Sequence, residues 1–333
     1  MYSKSLDSRT AALAEWLSNG LGLEVDSLKP ASSDASFRRY FRVKHAQGCH
    51  VVMDAPPDKE NTEPFIRVAA LLSSADIHVP AIYQQNLLQG FLVLEDLGSH
   101  CFLDQLQTDT ADALYSSAMD SLFKLQTRIN PLTSQLPRYD QALLQRELGI
   151  FDEWFLDKLL GVVLPDAIKQ PFHQLLIDSA LQQPQVCVHR DFHSRNLMVL
   201  ATDSPGVIDF QDAVIGPISY DLVSLLRDCY ISWPQAQIDG WVKTYYLRLQ
   251  QAGLLTVELP QFQQWFDWMG LQRHLKAIGI FSRLHLRDNK SGYLADIPRT
   301  LAYVQQVTAH YPQLQAFNQF VQQSILPNYQ TKL

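Results

Sequence analysis

Two aspartates and an asparagine within residues 186–213, VCVHRDFHSRNLMVLATDSPGVIDFQDA, have the types and spacing that phosphoryl transfer needs. Asp191 and Asn196 stand five residues apart on one polar segment, and Asp209 follows thirteen residues after Asn196. Asp191 can take a proton from an attacking hydroxyl while Asn196 offers an oxygen to a cation, and Asp209 adds a carboxylate to that cation. A hard cation such as Mg2+ accepts one or two carboxylates and completes its shell with phosphate oxygens and water. A base that orients the nucleophile and a metal that neutralises phosphate charge are the working parts of a phosphoryl-transfer site. The apolar runs 186–188, 197–200 and 206–208 predict three short buried strands that present these polar residues at their ends.

The chain around this stretch has 333 residues, too many for one small core, and two lobes are expected. A hydrophobic fraction of 47% and a charged fraction of 18% are those of a globular protein. The formal net charge of -7, without a long basic block, argues against nucleic acid as a partner. Cys49, Cys101, Cys187 and Cys229 show no metal-binding or paired spacing and read as reduced thiols. The first residues lack the apolar core of a signal peptide, and no run of 18 apolar residues predicts a membrane span. The expectation is a cytoplasmic protein with no membrane association and no obligate protein partner.

Periodicity sets the elements that must position the site. A helix capped by Asp7 and Ser8 carries Leu13, Trp16 and Leu17 on one face. A short strand over 25–28 and a loop of small polar residues over 31–36 come next. Residues 37–44 alternate, with Phe37, Phe41 and Val43 on one side and Arg38, Tyr40, Arg42 and Lys44 on the other, which predicts a half-buried strand. Residues 49–54 form the next strand, 62–74 a helix, and 79–83 with 90–98 a hairpin. From residue 102 the spacing becomes helical: 111–128, 139–158, 165–181, a buried helix from Tyr220, then 234–252, 259–286, 298–309 and 312–324. The prediction is an α+β chain with an N-terminal β lobe over 1–98 and a larger, mainly helical lobe over 99–333.

HRDFHSRN followed by IDF resembles the catalytic core of the protein-kinase-like superfamily, and its second histidine is similar to the HxDxHxxN loop of aminoglycoside phosphotransferases and choline kinases. That resemblance implies a bilobal fold, ATP and Mg2+ as nucleotide and cofactor, Asp191 as catalytic base, and Asn196 and Asp209 as metal ligands. It implies adenine held by the backbone at Glu95, Asp96 and Leu97, and phosphates covered by the loop carrying Ser33 and Ser36. Asp221 matches an aspartate that braces the catalytic loop, while His189 and His193 support the loop by hydrogen bonds. Arg190 stands where many antibiotic kinases have glycine, and Arg195 is either near the transferring phosphate or a solvated charge.

Two features depart from the wider pattern: the phosphate loop has no glycine, and Met53 occupies the region of the usual third-strand lysine. Arg39, Arg42 or Lys44 could supply that charge, or the position is apolar core. The segments DASFRRYFRV, VVMDAPPDKENTEPF and LQRHLKAIGIFSRLHLRDNKSGYLADIPR resemble the anomeric amino-sugar kinases of bacterial cell-wall recycling, in which both departures are found. The resemblance spans nearly the whole chain and implies phosphorylation of the C1 hydroxyl of N-acetylmuramate or N-acetylglucosamine in peptidoglycan recycling. Polar residues in or beside apolar runs of the helical half are the sugar-site candidates: Asp212, Arg227, Asp228, Arg273, His274 and Lys276. The planar fork of Arg273 suits a carboxylate such as the lactyl group of muramate. The competing expectations are another small-molecule kinase, of aminoglycoside, choline or homoserine type, and a nucleotide-binding regulator without transfer.

Overall fold

The computed structural model describes residues 7–23, 28–32, 37–45 and 48–332. Ser33, Ser36 and most of the strand expected over 25–28 lie outside them. The chain forms two compact units, one of Met1–His100 with Met198–Gln211 and one of Cys101–Leu197 with Asp212–Leu333.

The first unit is built on five strands: β1 Lys29–Ser32, β2 Arg39–His45, β3 Gly48–Asp54, β4 Ile82–Asn86 and β5 Phe91–Glu95. They form one antiparallel sheet in the order β1-β2-β3-β5-β4. The two-residue period puts Phe41 and Val43 of β2 on the same face as Val52 of β3 and Phe91 and Val93 of β5. Leu13 and Leu17 close that core from the N-terminal helix Ser8–Glu15 and the turn after it. Asp7 caps this helix, its carboxylate accepting from Thr10 N and Thr10 Oγ1 at 2.9 Å each.

The sheet differs from the expectation at two edges. Phe37 lies ahead of β2 and is 62% exposed, with the Lys59 ammonium 5.0 Å from its ring centroid. The strand expected over 79–83 begins only at Ile82, because Pro80 has no N–H to give a ladder. At the β4–β5 turn Gly90 has φ +72, and a Cβ there would lie 1.9 Å from Ala55 O, so no other residue fits. The segment Met198–Gln211 joins this unit through Val199 N to His100 O at 2.9 Å, Val207 N to His78 O at 2.7 Å, and Phe210 packed on Phe65 at 4.9 Å.

The second unit is helical except for strand Gln185–Val188, which pairs antiparallel with Val214–Pro217. Its central helix, Leu259–Asp288, packs against Gln141–Ile150, Phe151–Leu160, Asp166–Leu181, Tyr220–Leu226 and Ile297–His310. Trp265, Phe266 and Trp268 are core residues of that helix. The helix expected from 139 begins at Gln141, because the Asp140 carboxylate accepts from Leu143 N at 2.9 Å and caps it there. It runs on through a wider turn, Phe151–Leu160, to a left-handed Gly161. Gly279 lets the central helix touch this one: a Cβ at 279 would lie 2.7 Å from Ile150 C, Ile150 O and Phe151 N. A small antiparallel sheet followed by a larger helical part is the architecture that the amino-acid pattern predicts.

Candidate active site

Buried Val186, Cys187 and Val188 drive the chain into the core and release it as a polar loop at His189. Two aspartates on one later segment hold that loop. Asp221, fully buried in the first turn of helix Tyr220–Leu226, accepts from His189 N at 2.6 Å and Arg190 N at 3.0 Å. Burial pushes its carboxyl up to about 7, against the lowering by those two amides. Asp228 accepts from Ser194 N at 2.9 Å and Ser194 Oγ at 2.5 Å, and its other oxygen accepts from Tyr230 N at 3.0 Å. Within the loop, His193 N and Asn196 Nδ2 both donate to Asp191 O at 3.0 Å, and Asp191 N donates to His189 Nδ1 at 3.2 Å. Arg190 is forced to φ 77, a left-handed conformation that is costly for a long side chain.

The Asp191 side chain lines a cavity of about 110 Å3 with His193, Tyr220, Cys229, Tyr230, Arg273, Lys276, Ala277, Ile280 and Phe281. Burial alone would raise its carboxyl, but the charges of Lys276 and Arg273 outweigh burial and hold it below the usual carboxylate range. Burial also lowers the His193 imidazole, so the ring is neutral at pH 7. Its edge meets Tyr230 at 5.3 Å. A deprotonated carboxylate beside a neutral ring is the state in which Asp191 can take a proton.

The cations around this cavity differ in how they are matched. Lys276 Nζ lies 2.8 Å from Glu147 Oε1 and donates to Tyr220 OH at 3.2 Å. Arg190 Nη2 reaches the same Glu147 oxygen at 2.6 Å. Glu147 is 2% exposed, also accepts from Tyr139 OH, and accepts from Gln272 Nε2 at 3.1 Å. Burial opposes its ionisation, and Lys276 and Arg190 reverse that and lower its carboxyl. Glu147 and the tyrosines Tyr220 and Tyr230 were missed in the sequence. A carboxylate at a core position of ALLQRELGIF, between Leu144 and Leu148, is the signal that marks Glu147.

Of the six sugar-site candidates, Arg273 and Lys276 line the Asp191 cavity and the other four do other work. Residues 273, 276, 277 and 280 share one face of the central helix, whereas 274 points elsewhere. His274 is fully buried, stacked on Tyr303 at 4.9 Å, with Nε2 2.9 Å from Arg227 O. Arg227 pairs with Asp267 at 2.7 Å, not with Asp228, and lies 4.8 Å over the Phe266 ring. Asp228 sits under the loop, and exposed Asp212 gives only its carbonyl to Arg190 Nη1, at 3.4 Å. Arg195 is exposed, its guanidinium 3.6 Å over the Tyr230 ring.

In the first unit, Asp209 has φ 63 and accepts from Gln211 Nε2 at 2.8 Å. Strain of this kind at a carboxylate aims the side chain against the ordinary backbone preference. Glu95 Oε2 accepts from Ala81 N at 3.2 Å and Oε1 faces His78 Nε2 at 3.2 Å. Asp96 is gripped by Arg42 through bonds of 2.6 and 2.8 Å, and Leu97 is buried. Arg39 is held by Asp7 and Asp54, so both arginines considered as substitutes for the third-strand lysine are already paired. Met53 itself is fully buried.

The donor set suits a hard divalent cation. Asn196 turns its Nδ2 to the Asp191 carbonyl, which directs its amide oxygen away from that carbonyl, and Asp209 brings carboxylate oxygen. Among the described residues no three His, Cys, Asp or Glu side chains gather into a metal cage.

A model of the phosphotransferase enzyme family matches residues 27–265. The N-acetylmuramate/N-acetylglucosamine kinase of Pseudomonas putida is 46% identical over 329 residues, covering 95% of this chain and 96% of that one. Its namesake from Neisseria meningitidis serogroup B is 43% identical over 315 residues, covering 92% and 93%. Among solved structures, choline kinase LicA from Streptococcus pneumoniae superposes with a TM-score of 0.64 at 13% identity, over 89% of this chain and 99% of that one. ADP-bound aminoglycoside phosphotransferase APH(2'')-Ib gives 0.58 at 14% identity, over 91% and 99%. At such identities the superpositions speak for the protein-kinase-like fold.

Proposed function

The chain belongs to the phosphotransferase enzyme family, and from that premise we propose that it moves the γ-phosphoryl group of ATP to the C1 hydroxyl of N-acetylmuramate or N-acetylglucosamine. Relatives bearing that pair of sugars in their name, at 43–46% identity over most of the chain, support an ATP-dependent amino-sugar kinase. The observation that carries the mechanism is the carboxylate of Asp191, kept ionised in a cavity and fixed by a loop tied down at both Asp221 and Asp228.

The C1 oxygen attacks the γ-phosphorus, the bond to the β,γ-bridging oxygen breaks, and ADP leaves. The proton of the C1 hydroxyl passes to Asp191 as the new P–O bond forms, and then to water. Asn196 and Asp209 would hold Mg2+, which when bound neutralises charge on the phosphates. Backbone groups at Glu95, Asp96 and Leu97 take the adenine. The adenine contact leaves the Glu95 and Asp96 side chains to their partners within the first unit. The pair of cations facing Asp191, Arg273 and Lys276, disfavours the cationic acceptors choline and aminoglycosides. Among the described residues no helix is long and apolar enough to cross a membrane.

Mg2+-dependent ADP release measured with N-acetylmuramate, N-acetylglucosamine, kanamycin, choline and homoserine tests this reading. Release with the two amino sugars is expected. Release with only one of the other three acceptors would replace the substrate class, and release with none would favour a nucleotide-binding regulator.

A further inference from the structure

Buried charge in a folded protein is normally matched, because an isolated ion loses its hydration without compensation. The cations around the catalytic loop obey this rule with one exception. Lys276 and Arg190 share Glu147, and Arg227 has Asp267. Arg273 is only 6% exposed, yet no carboxylate among the described residues lies within ion-pairing distance of it. Its Nη1 approaches Cys229 Sγ at 3.7 Å, a weak acceptor. Burial raises the Cys229 thiol and the Tyr220 phenol, so neither supplies a negative charge at neutral pH. Asp191 shares the cavity and its field reaches Arg273. That carboxylate is committed to the reacting hydroxyl in the mechanism above.

The guanidinium lines the same cavity as Asp191, on a helix face continued by Ala277 and Ile280, with Tyr230 and Phe281 completing an apolar wall. The cavity has a volume of about 110 Å3, room for a small acid arm beside the reacting hydroxyl. A fixed fork of N–H donors in a small, largely apolar cavity is a receptor for a planar anion. The two sugars in the relatives' name differ at this point of chemistry. N-acetylmuramate carries a lactyl carboxylate on C3, and N-acetylglucosamine has a hydroxyl there.

We infer that Arg273 is the specificity-determining residue that takes the carboxylate of the acidic sugar, and that it sets the preference of this site between an acidic and a neutral amino sugar. Lys276 does not duplicate it, since Glu147 and Tyr220 already occupy its ammonium. The inference rests on the amino-sugar kinase reading.

The experiment compares kcat/KM for N-acetylmuramate, its methyl ester and N-acetylglucosamine in the wild-type enzyme and in Arg273→Met and Arg273→Lys. A charge-assisted fork contributes about 10- to 100-fold in binding. The ratio of kcat/KM for N-acetylmuramate over N-acetylglucosamine should fall by that factor in Arg273→Met, carried by KM. Arg273→Lys should recover part of it. The wild-type enzyme should treat the methyl ester as Arg273→Met treats the acid. A ratio unchanged within about threefold overturns the inference, whereas a kcat lost equally with both sugars reports only the field of Arg273 on Asp191. If Arg273→Met does not fold, the wild-type response to the methyl ester decides alone. If the wild-type enzyme turns over neither sugar, the parent reading fails first, and that outcome is separate from an unchanged ratio.

Discussion

At the scale of single residues, the proposed chemistry is concentrated in Asp191, and its surroundings fix its behaviour. Asp191→Asn keeps the shape of the loop and removes the proton acceptor, so kcat should fall by about 100- to 10,000-fold with little change in the KM for sugar. Because the charges of Lys276 and Arg273 lower the Asp191 carboxyl, it is ionised at neutral pH, and acid protonates it only below the usual carboxylate range. The kcat/KM profile should therefore show no acid limb belonging to Asp191 at or above the usual carboxylate range. An acid limb near 6.5 that vanishes in His193→Asn would contradict the neutral, lowered histidine. The residues proposed for this site stand out in the sequence to the degree that their proposed function is local. Asp191, Asn196 and Asp209 stand close together in the chain, and density of polar residues at strand ends marks them. Glu147 stands out in the sequence only as a carboxylate at a core position, because its partners Arg190, Gln272 and Lys276 are all far away in the chain.

At the scale of elements, the central helix Leu259–Asp288 decides which of the polar residues meet the cavity. The segment Arg273-His274-Leu275-Lys276 could be read as a candidate group, and helical phase then separates it: 273 and 276 face Asp191, and 274 faces Tyr303. Which face is inward depends on neighbours that periodicity does not name. The depth of the helix depends on Gly279, where a side chain would press on the backbone of Ile150 and Phe151. Gly279→Ala should destabilise by about 1–3 kcal/mol through overpacking, read as a lower urea midpoint with an unchanged slope. It should also raise the KM for sugar, because the same shift moves Arg273 and Lys276 away from Glu147 and the loop. A midpoint equal to wild type would show that the two helices are not in contact at this point. Smaller misreadings have equally local causes: Pro80 delays a strand, and the Asp140 cap starts a helix two residues late.

At the scale of the whole molecule, the order of a small sheet and a larger helical part follows from the change of period near residue 102. The membership of Met198–Gln211 in the first unit does not follow from it. That segment is held by His78, His100 and Phe65, contacts made across 99 residues of chain or more. Asp209 thus belongs to one unit, and Asp191 and Asn196 to the other. The proposed reaction needs all three around one triphosphate. The most direct measurement is the position of the phosphate on the product made from N-acetylmuramate and ATP, read by proton–phosphorus NMR correlation and by lability to mild acid. The account predicts phosphorus coupled to the proton on C1, and a phosphate released by mild acid. An acid-stable product with phosphorus coupled to the C6 protons would contradict it.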